Sequence, residues 1–174
     1  ILGKEGEASD YIKWYVEKSA SVKQAVEGQS MPKVYAEWSS TSDVSTLGSG
    51  SGFDSVLSVA RGYNVARGLD DSYPKVTWEW VVTQNPEVII KRQTQSSDQT
   101  QIGWKSEPST DTVKLQSVRN ELLSRSGASG ISAVKSGRVY VMDWDVLNGL
   151  DQVVGITYLA KLLHPDADLD PEAV

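Results

Sequence analysis

Three carboxylates stand where short apolar stretches of the sequence end. Glu37 closes one such stretch, and Asp143 and Asp145 flank Trp144 after another. Two carboxyl groups that face one cleft can perform general acid–base or nucleophilic chemistry on a glycoside or ester. The spacing alone does not show a shared cleft, and solvated strand ends are the more common arrangement. A carboxylate-dependent hydrolase that uses Glu37, Asp143 and Asp145 therefore stands as an alternative, from a different class, to a binding protein.

The chain has few of the residues that other kinds of catalytic or metal-binding site require. Cys is absent and His164 is the single His, which excludes disulfides, thiolate sites and multi-His metal sites. His164 directly precedes Pro165 at a predicted helix end, where it is expected to interact with the helix dipole. No Gly-x-Ser-x-Gly elbow is present, which argues against a Ser-His-Asp hydrolase. We assign no catalytic residue and no metal ligand from the sequence.

Glycine and serine alternate over residues 48–52, before a predicted helix. Backbone N–H groups at such a place can hold a phosphate or another anion. The stretch lacks the Lys of a Walker A loop and does not match Gly-x-Gly-x-x-Gly. A flexible loop is the favoured interpretation.

The composition of the chain limits the classes of partner that the protein is expected to bind. The 174 residues carry a formal net charge of −6, which argues against a general nucleic-acid binder and a polybasic membrane anchor. Six Trp accompany one Phe. Trp offers an apolar face and a hydrogen-bond donor together, as ligand sites and interfaces often require. The length suits one domain, with two small ones as the alternative.

Helical and extended patterns alternate along the chain. Helices are predicted over residues 4–28, 53–60, 78–83, 111–126 and 147–163, and strands over 33–38, 64–66, 87–91 and 138–142. Thr77 is expected to cap the helix that starts at Trp78. Residues 39–52 and 93–110 are predicted loops. This alternation predicts an α/β fold with a parallel sheet flanked by helices.

Ligands of such sheets bind beyond the carboxyl ends of the strands. That rule places Trp38, Ser39 and Ser40 after one strand, Arg92 after another, and Trp144 after the last. Trp38 and Trp144 are therefore expected on one rim. The start at Ile1-Leu2-Gly3, without Met or a signal segment, leads us to expect a piece of a longer protein.

Seven segments, in order, resemble the substrate-binding proteins of iron-complex and cobalamin ABC importers. That class has two lobes joined by one rigid helix. The segments are ILGKE (1–5), PKVY (32–35), ARGYNVA (60–66), YPKVTWEWV (73–81), NPEVII (85–90), AVKSGRVY (133–140) and LAKLLHP (159–165). The resemblance covers nearly the whole chain but only the second half of the family. It implies a linking helix over 1–28, a C-terminal substrate-binding lobe over 29–174, and an absent N-terminal lobe.

The resemblance also implies a function without catalysis. Its ligand would be a metal chelate (an iron–siderophore complex, heme or a corrinoid), with no cofactor and no metal bound directly by the protein. The implied partners are the permease and ATPase subunits of an ABC importer, outside the cytoplasm, with the full-length protein lipid-anchored or secreted. Glu79 would dock on permease arginines. The implied ligand-binding residues are Trp38, Ser39, Ser40, Arg92, Trp104 and Trp144.

Two departures and one alternative accompany the resemblance. Arg61 stands where the family usually has Gly, and Trp78 and Trp80 bracket Glu79. A bare oxyanion such as molybdate or tungstate, held by N–H groups and hydroxyls of the Ser/Thr/Gly loop, is the alternative ligand, because that subgroup has the same fold.

Overall fold

Four parallel strands form the single sheet of the described chain. The computed structural model describes residues 3–38, 44–93 and 108–174. The strands are β1 (Lys33–Glu37), β2 (Tyr63–Asn64), β3 (Val88–Gln93) and β4 (Val139–Asp143), in the spatial order β2-β1-β3-β4. The predicted parallel α/β arrangement is confirmed. The strand predicted over 64–66 is shorter, because only Tyr63 and Asn64 pair with β1.

Six α-helices surround the sheet in the part of the chain that the structure describes. They are α1 (Glu5–Ala25), α2 (Gly52–Val59), α3 (Trp78–Gln84), α4 (Pro108–Leu123), α5 (Ser132–Lys135) and α6 (Gln152–Leu163). In the described part of the chain, no helix is both long enough and apolar enough to cross a membrane.

The central strand β3 is apolar because both of its faces are covered. Val88, Ile89 and Ile90 have no exposed surface, as expected for a parallel strand with helices on both sides. Val88 and Ile90 pack with side chains of α1, α2 and α6. Ile89 packs on the other face with Tyr35 and with side chains of α3, α4 and α5. Successive residues at the strand ends therefore emerge into different surroundings.

The chain between β4 and α6 departs from the prediction. The helix predicted over 147–163 begins only at Gln152, and a separate 3₁₀ turn occupies Trp144–Leu147. Asp143 starts this turn, because its carboxylate accepts a hydrogen bond from the backbone N of Asp145 at 3.0 Å. Gly149 then adopts a φ of 75°, which ends the turn before α6.

Helix α3 begins as the sequence predicts. The Thr77 hydroxyl accepts a hydrogen bond from the backbone N of Trp80 at 3.2 Å, which satisfies one free donor of the first turn. Asn85 ends the helix with a left-handed φ of 47°. Glu79 consequently lies in the first turn.

Arg61 adopts a left-handed backbone conformation, which a glycine would adopt more readily. Its φ is 56°, a left-handed value that costs a non-glycine residue about 1–2 kcal/mol. Its Nε donates to the carbonyl of Gln29 at 2.5 Å, which ties it to the segment after α1.

Candidate functional site

Strands β1 and β3 bring Trp38 and Arg92 together at the sheet edge. Glu37 pairs with Lys91 in register, so the residues that follow them emerge side by side on the opposite face. The Arg92 guanidinium carbon lies 3.4 Å from the centroid of the Trp38 ring. This contact is a cation–π pair. The rule for parallel sheets placed Trp38 and Arg92 after two different strands, and the structure brings their side chains into contact; we call this surface the rim.

Aromatic rings support Trp38 from two sides. Its ring centroid lies 5.1 Å from that of Tyr73 and 5.9 Å from that of Trp144, which meets it edge-on. Trp144 in turn packs on Phe53 at 5.1 Å. Trp144 is only 6% exposed, so its ring mainly supports Trp38, which is half-buried. Tyr73 is a rim residue that sequence reasoning missed, since Tyr73-Pro74 signalled only a break in the chain.

Arg92 keeps hydrogen-bonding capacity at this rim. Its Nε is buried and has no hydrogen-bond acceptor among the described residues. Burial lowers the pKa of the Arg92 guanidinium, and the nearby charge of Asp145 opposes that change. An arginine remains cationic under such shifts. The rim therefore presents a positive group suited to a carboxylate, a phosphate or another oxyanion.

Glu37 lies on the other face and its carboxylate is fully engaged. Arg125 donates to it through both terminal nitrogens, at 2.6 Å and 3.0 Å, and the Lys91 ammonium also donates to it. The Tyr35 hydroxyl donates at 3.3 Å. Burial would raise the pKa of Glu37, but the hydrogen bonds and charges of Arg125 and Lys91 outweigh burial and lower it. We call these four residues the buried ion cluster.

The three carboxylates of the hydrolase alternative do not meet in one cleft. Glu37 has no exposed surface and is ionised by its two cations. Asp143 caps the 3₁₀ turn, and Asp145 is exposed. A general acid must carry a proton near neutral pH. Glu37 does not carry one there, because its pKa is lowered.

The Gly/Ser stretch is folded on itself. The Ser51 hydroxyl donates to the carbonyl of Gly48 at 2.7 Å, and the N–H of Gly48 donates to the carbonyl of Ser72 at 3.0 Å. Groups that face inward in this way do not form a phosphate cradle. The loop interpretation agrees with this arrangement, although the stretch is held by hydrogen bonds.

His164 is the C-terminal cap of α6, and it is buried. Its Nε2 lies 3.1 Å from the carbonyl of Ala60 and 3.3 Å from that of Arg61. Burial lowers the pKa of His164, and these two carbonyls partly offset that effect. Among the described residues, no group of three or more His, Asp or Glu is placed to hold a metal ion.

Ser39, Ser40 and Trp104 lie outside the described residues, so their predicted roles stay predictions.

Glu79 is exposed on the first turn of α3, between two half-buried tryptophans. The indole N–H of Trp78 donates to the carbonyl of Ser126 at 2.8 Å. The Arg125 guanidinium carbon lies 4.9 Å from the Trp78 ring centroid. Arg125 thus connects the buried ion cluster to α3. Nothing local in the sequence predicts that role, because Arg125 is 88 residues from Glu37 along the chain.

Solved structures share this fold. TroA-like periplasmic binding protein FepB from Veillonella parvula superposes with a TM-score of 0.81 at 22% identity, over 99% of this chain and 51% of that one. An ABC-type Fe³⁺-hydroxamate transport system protein from Saccharomonospora viridis gives 0.69 at 17% identity, over 92% and 50%. The periplasmic vitamin B12 binding protein BtuF of Vibrio cholerae gives 0.64 at 17%, over 84% and 49%. The chain spans about half the length of each.

A search of curated protein sequences found no match. The sequence profile of the periplasmic binding proteins, in contrast, matches residues 1–146, which is most of the chain. The parallel sheet and the structural neighbours agree with that match. The chain therefore belongs to the periplasmic binding protein family, a family of solute-binding proteins.

Proposed function

We propose that this chain is one lobe of the solute-binding component of an ABC importer. It would capture a metal chelate between two lobes outside the cytoplasm and deliver it to a membrane permease. The single observation that carries the proposal is the Arg92–Trp38 pair at the carboxyl ends of β3 and β1. That is where parallel sheets bind ligands.

A chelate or a tetrapyrrole matches the chemistry of this pair. Such molecules combine flat apolar surface with carboxylate, phosphate or hydroxamate oxygens. The half-buried Trp38 ring offers a face for the first, and the Arg92 guanidinium offers donors for the second. Ser39, Ser40 and Trp104 would extend the site, and Trp144 would hold Trp38 in place.

The names of the structural neighbours point to the same class of cargo. The Saccharomonospora viridis protein is named for Fe³⁺-hydroxamate transport, and the Vibrio cholerae protein for vitamin B12. We infer an iron–siderophore complex, heme or a corrinoid as the ligand of this chain. A lobe alone would bind it weakly, since the opposite lobe supplies the other contacts.

An oxyanion such as molybdate or tungstate is a second candidate ligand. The observation that favours it is the Arg92 Nε, which is buried and without an acceptor among the described residues. The inward hydroxyl of Ser51 argues against any contribution from the Gly/Ser stretch.

Docking on the permease is proposed through Glu79. Its carboxylate is exposed at the start of α3, and a carboxylate can receive two parallel hydrogen bonds from one arginine. Such a contact fixes orientation as well as affinity. The ATPase subunits would then act through the permease.

Uptake by cells that carry the whole importer tests this function. Radiolabelled ferric siderophore, heme, cobalamin and molybdate are supplied to cells with the wild-type binding protein or with Glu79→Gln. We expect uptake of one compound in the wild type and a loss of that uptake in Glu79→Gln, without a loss of cargo binding. Uptake of none of the four, or full uptake with Glu79→Gln, contradicts the proposal.

A further inference from the structure

An open groove lies beside the first turn of α3, next to Glu79. Its volume is about 540 Å³, and it is lined by the loop that precedes α3 and by Trp80 of that helix. The floor of the groove is apolar, and its edge is polar and exposed. The floor is lined by Leu69, Pro74, Val76 and Trp80. The edge of the groove is lined by Asp70, Asp71, Lys75 and Thr77.

Backbone hydrogen bonds hold the loop wall in place. The carbonyl of Pro74 accepts from the N–H of Thr46 at 3.0 Å, and the N–H of Val76 donates to the carbonyl of Val44 at 2.9 Å. The Asp71 carboxylate accepts from the N–H of Tyr73 at 3.0 Å. The groove is thus formed before any partner arrives, so little ordering cost opposes docking.

The charge around the groove is negative. Asp70, Asp71 and the neighbouring Glu79 carry three carboxylates, against the one ammonium of Lys75. The Trp80 indole is half-buried within the same groove. A planar cation satisfies both features, because it stacks on an indole and pairs with a carboxylate. A guanidinium fits this description better than an ammonium.

We propose that this groove receives an arginine side chain of the permease, stacked on Trp80 and paired with Asp70 or Asp71. The inference rests on the proposed function and extends its docking surface beyond Glu79. Trp80 and Glu79 are adjacent residues in one helical turn. The groove arginine and the arginine that Glu79 receives therefore belong to one continuous basic surface of the partner.

Binding of the full-length protein to its importer in lipid nanodiscs tests the groove directly. The test variant is Asp70→Asn with Asp71→Asn, which removes two charges but keeps an acceptor for the Tyr73 N–H. The control is Asp166→Asn with Asp168→Asn, an exposed pair outside the groove with the same charge change. We expect docking about three- to tenfold weaker than the control, since exposed pairs contribute modestly. Slower association should account for most of it, and high salt should abolish the difference.

Trp80→Leu provides a second variant, with a thermal melt to show that it folds. We expect it to weaken docking without any effect on cargo binding. If both groove variants dock like the control while Glu79→Gln docks weakly, the groove proposal is wrong and the proposed function stands. If Glu79→Gln also docks normally, the docking proposal fails as a whole. A change in self-association alone would place a second copy of the chain in the groove and overturn the proposal.

Discussion

Charged residues at the ends of β1 and β3 have different surroundings on the two faces of the sheet. On one face, Glu37 and Lys91 are buried, and Arg125 completes their pairing. One residue further along each strand, Trp38 and Arg92 emerge on the other face. There the Arg92 Nε has no acceptor among the described residues. The same two strands therefore carry a carboxylate whose oxygens all have donors and an arginine whose Nε has no acceptor among the described residues.

We propose that this contrast separates charge that stabilises the fold from charge that binds a ligand. A buried carboxylate held by two cations has no capacity left for a ligand or a proton, and its removal leaves cations uncompensated. An arginine that stacks on an indole and stays cationic retains affinity for an anion. We therefore expect changes on one face to alter stability and changes on the other to alter binding.

Glu37→Gln should have the largest effect. It removes the buried anion that Lys91 and Arg125 share, and we expect a loss of about 3–5 kcal/mol in the free energy of unfolding. Urea denaturation of the chain measures this. The control is Glu121→Gln, since Glu121 also pairs with Arg125 at 3.0 Å but its side chain is 58% exposed. That control should cost less than about 1 kcal/mol. Equal effects of the two changes would contradict the contrast.

Arg92→Gln should change cargo affinity strongly and the free energy of unfolding only slightly, which distinguishes the roles of the two faces. Loss of a charged hydrogen-bond donor should weaken cargo affinity about 10- to 100-fold. The free energy of unfolding should change by about 1 kcal/mol or less, because the described interactions that it loses are the stacking on Trp38 and the attraction to the exposed Asp145. Calorimetric titration and urea denaturation give the two numbers. A large loss of stability with unchanged affinity would reverse the roles of the two faces.

Acid should weaken the buried ion cluster before it affects the rim. The pKa of Glu37 is lowered in the folded chain, so its stabilising contribution is complete above the unfolded value of about 4.3 and is lost as pH falls below it. Each unit of difference between the folded and unfolded pKa contributes about 1.4 kcal/mol. Denaturation at several pH values should show a steeper acid loss in the wild type than in Glu37→Gln. Parallel curves would count against the account.

Arg125→Lys should have the smallest effect. It keeps the positive charge but loses the two-pronged contact with Glu37, and we expect a cost of about 1 kcal/mol. Cargo affinity should not change. If denaturation shows this variant to be as unstable as Glu37→Gln, geometry rather than charge dominates the cluster.

Local patterns predicted most of the fold and part of the site. The Thr77 cap, the apolar run of β3 and the alternation of helix and strand depend on neighbouring residues, so the sequence displays them. The rule for parallel strand ends placed Trp38 and Arg92 after two strands, but it did not predict their contact. Glu37 was a candidate acid because a sequence does not show what a side chain faces.

The missed features depend on contacts between distant residues. Arg125 reaches Glu37 across 88 positions, and Tyr73 reaches Trp38 across the fold. The start of α6 was wrong because Leu147, where the helix was predicted to begin, belongs to a 3₁₀ turn capped by Asp143. Trp144 was expected to face a ligand, yet packing on Phe53 buries it.

Tryptophan fluorescence titration of the protein with both proposed lobes measures whether Trp38 and Arg92 bind the cargo. The probes are a ferric siderophore, heme, cobinamide, cobalamin and molybdate, with correction for light absorbed by coloured ligands. We predict saturable binding of one probe, weakened by Trp38→Ala and by Arg92→Gln but not by Glu121→Gln. Saturable binding that neither rim variant weakens, or no saturation by any probe with a folded protein, would contradict the account.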